Sequence, residues 1–508
     1  MERYHGVNAS AAGALAALGL PPLGWWPLGL AGVALLLVIL TRIGPDRASR
    51  AFAAGWGFGF LWFVIGLDWL PQAFRFQSAM PHGMGHVAHL GLAAFLALYV
   101  GAATWAARRL AAGPLGLVLA LAGTLTLTDI ARGHLFTGFS WNPPGLLLLP
   151  IPGLRDAAAT IGADGLTALL VAAAGALALA ALRHWRDAAI AALLSALLAA
   201  PGFPRLGLEP PTPGPALLLL VQPNSSQAEK HGENGAERHL LAHVSTTERA
   251  LAALPNEARA RLAAVVWPEG SLEFPPEENP WVRSLVTRAL PPQAHLLAGG
   301  ISVMRDPAGN ATAIRNSLFA LDATGTVTAR YDKAHLVPGG EYLPLRRIAE
   351  PLGLSRLVPG SLDFLPGPGP ANLTIAGLPP MGAAICYEII FAGRVVSRSD
   401  RPGLILTVSS DAWFGRTGPP QHFALARLRA IEEGLPIVRA TPTGITGLID
   451  SRGRVIERLA ANTPGTLLAP VPQPLPPTPF ARFGQVIPAG IALLLLSAAL
   501  SLGHLKKA

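Results

Sequence analysis

Charge and cysteine are both scarce in this chain of 508 residues. Only 14% are charged, against about 25% in an ordinary soluble domain, and 51% are hydrophobic, with a mean hydropathy of +0.42. That balance excludes a wholly soluble chain and points to membrane spans. A single cysteine, Cys386, excludes any internal disulfide. The 13 histidines show no ligand spacing with Cys386 or with paired carboxylates, so no metal is expected. There is no phosphate loop, no dinucleotide fingerprint and no long-period repeat, and no cofactor is expected. The net charge of +9 comes from arginines scattered singly, with no basic stripe interleaved with aromatics, which excludes nucleic acid as a partner.

What is present divides into three parts. Residues 1–203 are rich in Ala, Leu and Gly; 216–470 have the composition of a soluble domain; 484–503 are apolar again. Pro-rich stretches, Glu209 to Pro215 and Pro470 to Pro479, mark the tethers. A span needs about 20 apolar residues. Candidates are 9–20, 24–40, 51–70, 87–107, 114–131, 163–182, 188–201 and 484–503, about eight in all, of which the first and seventh are short. Basic residues alternate between loops. One side receives Arg3, Arg42, Arg47, Arg50, Arg108, Arg109, Arg183, Arg186, Lys506 and Lys507, and the other only Arg75, Arg132 and Arg155. The positive-inside rule places both termini in the cytoplasm and residues 216–470 outside it. Trp25, Trp26, Trp62, Trp69, Trp105, Trp141 and Trp185 fall where spans meet the interface, as an aromatic belt predicts. Asp68, Asp129 and Asp164 lie near span ends, where snorkelling or capping accounts for them.

Within the middle part, strands read at 216–222, 262–267, 295–301, 382–386, 404–409 and 436–440, with helices near 234–254, 281–289 and 421–434. This alternation predicts an α/β sandwich with functional groups at strand ends. Three strand ends carry ionisable or nucleophilic groups: Glu269 in Trp267-Pro268-Glu269, Lys333 in Tyr331-Asp332-Lys333, and Cys386 in Cys386-Tyr387-Glu388. Taken singly, Cys386 reads as a small core hydrophobe, Glu269 as a turn or helix-start carboxylate, and Lys333 as a loop lysine. Together they supply what slow acyl transfer needs. A thiol splits the reaction into two steps through a thioester, a carboxylate takes its proton, and an ammonium favours the thiolate and steadies the oxyanion.

In this chain order the three residues resemble the Glu-Lys-Cys set of the nitrilase superfamily. The fuller resemblance, over nearly the whole chain, is to that superfamily's membrane-embedded branch, the apolipoprotein N-acyltransferase family. It is carried by Val221-Gln222, Trp267 to Glu269, Tyr331 to Pro338, Gly340 to Pro344, Cys386 to Glu388, Asp411 to Gly415, Gln421-His422, Arg429 to Glu432, Arg439-Ala440 and Thr443 to Thr446. Lys230-His231, Ser410 and Pro442 depart from the family's usual residues. The resemblance implies a multi-pass α-helical membrane bundle plus an extracytoplasmic nitrilase-like αββα sandwich. It implies an inner-membrane enzyme with a periplasmic catalytic domain, acting as a monomer. Its acyl donor is a membrane phospholipid and its acceptor the α-amine of a diacylglyceryl-modified apolipoprotein. Glu269, Lys333 and Cys386 are the expected catalytic residues. Glu341 and Glu388 are expected to orient Lys333 and tune local charge, with Glu388 equally readable as a structural ion-pair partner. Tyr387 is expected to position the donor, and Tyr342 and Trp413 are candidates for substrate contact. The Leu-rich stretch 338–365 reads either as a lipid-contacting arm over the site or as an amphipathic helix packed on the domain.

Two other readings compete. A membrane-tethered amidase or nitrile hydrolase would use the same residues with water as acceptor, but small amides need no eight spans. A lipid-binding scaffold or transporter with a decayed domain should have lost one of the three residues, and none is lost.

Overall fold

The computed structural model describes residues 2–77, 80–81, 83–207, 209, 212–225, 234–358, 360 and 362–505; Lys230, His231, Lys506 and Lys507 lie outside the described residues. Among the described residues, eight apolar helices occur: Glu2–Ala17, Trp26–Thr41, Ala48–Gly66, Met84–Leu110, Gly113–Arg132, Ala158–Ala181, Trp185–Ala199 and Val486–Leu505. Six apolar stretches are long enough to cross a membrane: Pro45–Gly66, Met84–Leu110, Gly113–Arg132, Arg155–Ala181, Trp185–Arg205 and Val486–His504. The shortness expected of the seventh span is corrected. A 3-10 turn, Ala200–Arg205, extends that helix, whereas Trp26–Thr41 has only 16 residues and joins Val7–Ala17 as a short apolar helix.

Small residues let these helices approach closely, because apolar contact alone draws nothing together in lipid. A Cβ at Gly13 would lie 2.0 Å from the Phe58 carbonyl oxygen, and one at Gly123 would lie 2.7 Å from that of Ala492. Thr104 donates to the Ala51 carbonyl at 2.8 Å, linking Met84–Leu110 to Ala48–Gly66.

The middle of the chain forms two six-stranded sheets. The first has the order β12-β1-β2-β3-β4-β5, from β1 (Pro213–Gln222), β2 (Leu262–Leu272), β3 (His295–Arg305), β4 (Ala311–Leu321), β5 (Val327–Asp332) and β12 (Gly465–Pro472). The second has the order β11-β10-β9-β8-β7-β6, from β6 (Asn372–Leu373), β7 (Met381–Ile385), β8 (Leu404–Val408), β9 (Ile437–Ala440), β10 (Gly447–Ile449) and β11 (Val455–Arg458). The trios β1–β3 and β7–β9 are parallel, and the outer pairings are antiparallel.

The twofold alternation of a strand explains the layers. Leu217, Leu219 and Val221 of β1 pack with Leu240, Val244 and Leu251 of the helix Gly235–Ala252, while Leu218 and Leu220 belong to the core shared with Ala383, Leu406 and Val438. The result is the expected αββα sandwich.

The helix Gly418–Glu433 joins the sandwich to the bundle. Its Gln421 accepts from Trp141 Nε1 at 2.7 Å and from Asn142 Nδ2 at 3.2 Å, and its Glu432 accepts from the Ala163 amide at 2.7 Å. Two sequence expectations change here. Trp25, Trp26, Trp105 and Trp185 are exposed as belt residues should be, but Trp62, Trp69 and Trp141 are buried, the last two packed edge-on and tilted against Phe414 of the sandwich. Asp129 and Asp164 do not snorkel. Asp129 pairs with Arg132 at 2.8 Å and accepts from Thr167 at 3.0 Å, and Asp164 accepts from Gln485 at 2.7 Å.

Replacing Gln421 by Leu strands the buried Trp141 N–H. It should lower stability by about 1–3 kcal/mol, read as a lower unfolding temperature of the full chain in detergent; an unchanged temperature would contradict this seam.

Candidate active site

Sheet geometry brings Glu269, Lys333 and Cys386 to the wall of one cavity. Glu269 lies within β2, where the register with β3 shifts; Lys333 directly follows β5, and Cys386 follows β7. The cavity has a volume of about 330 Å³, and all three residues line it. Gly299 on β3 permits the close approach of Glu269, since a Cβ there would lie 2.5 Å from the Glu269 Cα.

Lys333 is 1% exposed, and a buried ammonium is tolerable only among anions. Its Nζ lies 2.9 Å from Glu341 Oε1 and 3.7 Å from Glu269 Oε1. Burial alone would lower its pKa, but the charges of Glu341 and Glu269 outweigh this and hold it above the ordinary lysine value. Asn316 Nδ2 donates to both carboxylates, at 2.8 Å to Glu269 and 2.9 Å to Glu341. The Ser410 amide donates to the other Glu269 oxygen at 2.7 Å, and the Val337 amide to the other Glu341 oxygen at 2.9 Å. Each carboxylate is therefore fixed at both oxygens.

Cys386 has φ of +52°, a left-handed conformation that costs a non-glycine residue about 1–3 kcal/mol. This turn leads from β7 directly into the 3-10 helix Cys386–Ile390. The buried His422 lies 3.1 Å from the Cys386 carbonyl through Nε2. A carbonyl only accepts, so Nε2 carries a proton and donates to it, while Nδ1 faces both Arg439 Nη2 at 3.0 Å and Asp411 Oδ1 at 3.2 Å. Arg439 is held in turn by Asp411 at 2.7 Å. Burial, then the Glu269 charge, pushes the Cys386 thiol well above the usual cysteine range, while Lys333 and Ser409 oppose this only in part. Lys333 favours the thiolate, as expected, but burial and Glu269 outweigh it, so a base is needed to take the proton.

The remaining expected residues have different surroundings. Glu341 lies against Lys333. Glu388 makes no ion pair among the described residues. It accepts from Tyr331 OH at 2.8 Å and from the amides of Ala334, His335 and Ile385 at 2.8, 3.0 and 2.7 Å, so it clamps the Lys333 loop to the Cys386 turn. Tyr387 lines the cavity, but its hydroxyl donates to the Gly138 carbonyl of the bundle at 2.8 Å. Trp413 lines the cavity; Tyr342 does not, and pairs instead with Pro338 in a turn.

Among its described residues, the stretch 338–365 forms no amphipathic helix; their helical content is one short turn, Arg346–Ala349, and a 3-10 turn, Glu350–Leu352. Val337, Pro338, Leu357, Val358 and Phe364 wall the cavity, and the Arg356 carbonyl accepts from Gln77 of the bundle at 2.6 Å.

Sequence reasoning missed Asn316, which sits mid-strand in β4 where Asn-Ser resembles a turn. It also missed the bundle's contribution. Trp69, Leu92, Phe95, Leu96, Tyr99 and Phe136 form an apolar wall reaching from the thiol to Met84–Leu110. A lone sequence carries no signal for that meeting.

Twin sheets with a thiol at a parallel strand end define a carbon-nitrogen hydrolase sandwich, here carried on an apolar bundle. Residues 246–475 match the carbon-nitrogen hydrolase family, and residues 12–176 match the apolipoprotein N-acyltransferase N-terminal domain. The apolipoprotein N-acyltransferase of Allorhizobium ampelinum is 38% identical over 475 residues, covering 90% of this chain and 88% of its own. That of Caulobacter vibrioides is 37% identical over 508 residues, covering 96% and 93%. Among solved structures, Saccharomyces cerevisiae Nit3, of branch 10 of the nitrilase superfamily, covers 51% of this chain and 90% of its own at 17% identity and a TM-score of 0.37. The chain belongs to the apolipoprotein N-acyltransferase family.

The raised thiol pKa predicts slow alkylation of the sole cysteine by iodoacetamide at neutral pH, with the rate rising as pH rises. Intact-mass kinetics will measure it; fast, pH-independent labelling above pH 7 would contradict a protonated resting thiol.

Proposed function

We propose that this chain transfers a fatty acyl group from a membrane phospholipid to the α-amine of a diacylglyceryl-cysteine on an apolipoprotein. The observation that carries the reading is the shared cavity, where a thiol, a carboxylate and an ammonium meet an apolar wall from the helical bundle. In the first step Cys386 Sγ attacks the ester carbonyl and its proton passes to Glu269. Lys333 stabilises the oxyanion, the C–O bond breaks, and the lysophospholipid oxygen leaves with the proton. In the second step the acceptor amine attacks the thioester and gives a proton to Glu269, which returns it to the departing sulfur. An amide forms, and the thiol is restored.

Glu341 and Asn316 hold Lys333 and Glu269 in place, and Glu388 holds the loop that carries Lys333. Tyr387 and Trp413 serve as cavity walls against the donor. Both substrates reach the site within the bilayer, which limits their search to one surface. We assign the bundle to residues 1–203, the catalytic domain to 216–470 and the last span to 484–503. The alternating arginines support an inner-membrane protein with both termini cytoplasmic and the sandwich periplasmic. The monomeric state is carried over from the family resemblance. The amidase reading is not favoured, since the family match extends over the bundle as well as the sandwich.

Glu269→Gln keeps the shape and removes the base. Single-turnover formation of the acyl-enzyme should fall about 10²–10⁴-fold while phospholipid still binds; a loss below tenfold would remove Glu269 from the proton transfers.

A further inference from the structure

A second pocket of about 430 Å³ lies behind Glu388, outside the cavity of the thiol, and Arg394, Ser397, Arg398 and His335 line it. Its two arginines sit where two apolar helices end on the sandwich side. Arg394 Nη1 lies 3.4 Å from the carbonyl of Gly133, the residue that caps Gly113–Arg132. The Arg398 guanidinium abuts Gly484, where a Cβ would fall 1.8 Å from its Nη2, two residues before Val486–Leu505. Phe483 and Val486 beside it are 58% and 72% exposed, as side chains at a lipid boundary are.

Neither arginine has an ion-pair partner among the described residues. Arg394 makes only the Gly133 contact and a stack over Phe391 at 5.9 Å, and Arg398 reaches the buried Glu433 only through space. The carboxylate in the pocket, Glu388, is buried and already accepts four hydrogen bonds, three at Oε1 and one at Oε2, which leaves it a poor partner for an ammonium. Two exposed guanidinium groups without an ion-pair partner, beside the ends of two long apolar helices, match a phosphodiester, and their double positive charge favours an anionic over a zwitterionic headgroup.

We propose that the Arg394–Arg398 pocket binds the phosphate of an anionic glycerophospholipid from the adjoining leaflet, as a site distinct from the one that supplies the acyl donor. It rests on the bilayer placement of the long apolar helices and not on any role of Cys386. The bound headgroup fastens the loop 391–398 to the membrane surface.

The test uses the full chain in nanodiscs of phosphatidylcholine with a minor share of phosphatidylglycerol, read by native mass spectrometry. The wild type should retain phosphatidylglycerol selectively, and R394Q/R398Q should lower that retention roughly 30-fold. R394K/R398K, which keeps both charges, should restore most of it, and acyl-enzyme formation should be unchanged in both variants. Equal retention by the glutamine variant, or equal retention of phosphatidylcholine, would overturn the site. Displacement of the lipid by inorganic phosphate would reassign it to the free anion and overturn the lipid reading.

Discussion

The buried ammonium of Lys333 sets the terms for everything around it. A charge that is 1% exposed costs several kcal/mol unless it is paired at short range, so both Glu341 and Glu269 must be held close. They are held by strands β2 and β4, the loop after β5 and the turn at Val337, which no single local element supplies. Burial first, and the charge of Glu269 second, favour the proton on the Cys386 sulfur against the pull of Lys333. In the proposed reaction, attack moves this proton as the oxyanion is built, and Lys333 gains a new anionic partner only as the oxyanion forms.

The thiol's position depends on a second buried network. The left-handed turn at Cys386 is held from one side by His422, which Arg439 and Asp411 fix in place as a donor, and from the other by Glu388. Both clamps are in the sandwich, but Gly418–Glu433, which carries His422, also carries Gln421 and Glu432 into the bundle. The helix that aims the nucleophile is thus the one that docks the apolar wall beside it. This coupling explains how an apolar surface made by Met84–Leu110 can end at a reactive group made by a sheet.

Much of the fold was legible because buried parallel strands read as unbroken apolar runs: β1, β2, β3, β7, β8 and β9 were all anticipated. The outer strands were not. β4 carries Arg315, Asn316 and Ser317, and β11 ends in Glu457 and Arg458, so exposure on one face hides them among loop residues. Of the site, Glu269, Lys333 and Cys386 could be picked out by residue type and order, and Glu341 and Glu388 through the family resemblance. Asn316, the contact of His422 and the clamp made by Glu388 could not, since they exist only as distances across the sheets. Trp69 and Trp141 misled for a related reason. A tryptophan at a span end faces headgroups in an isolated helix, but here a second domain covers it.

The central claim is that a sulfur beside a fixed carboxylate and ammonium carries the acyl group. Intact-mass analysis of the chain extracted from membranes tests it directly. A fatty acyl mass on Cys386, absent from Cys386→Ala and discharged by a lipopeptide with a free diacylglyceryl-cysteine amine, is the predicted result. Acyl transfer that proceeds at a comparable rate in Cys386→Ala, with no adduct in either protein, would contradict it.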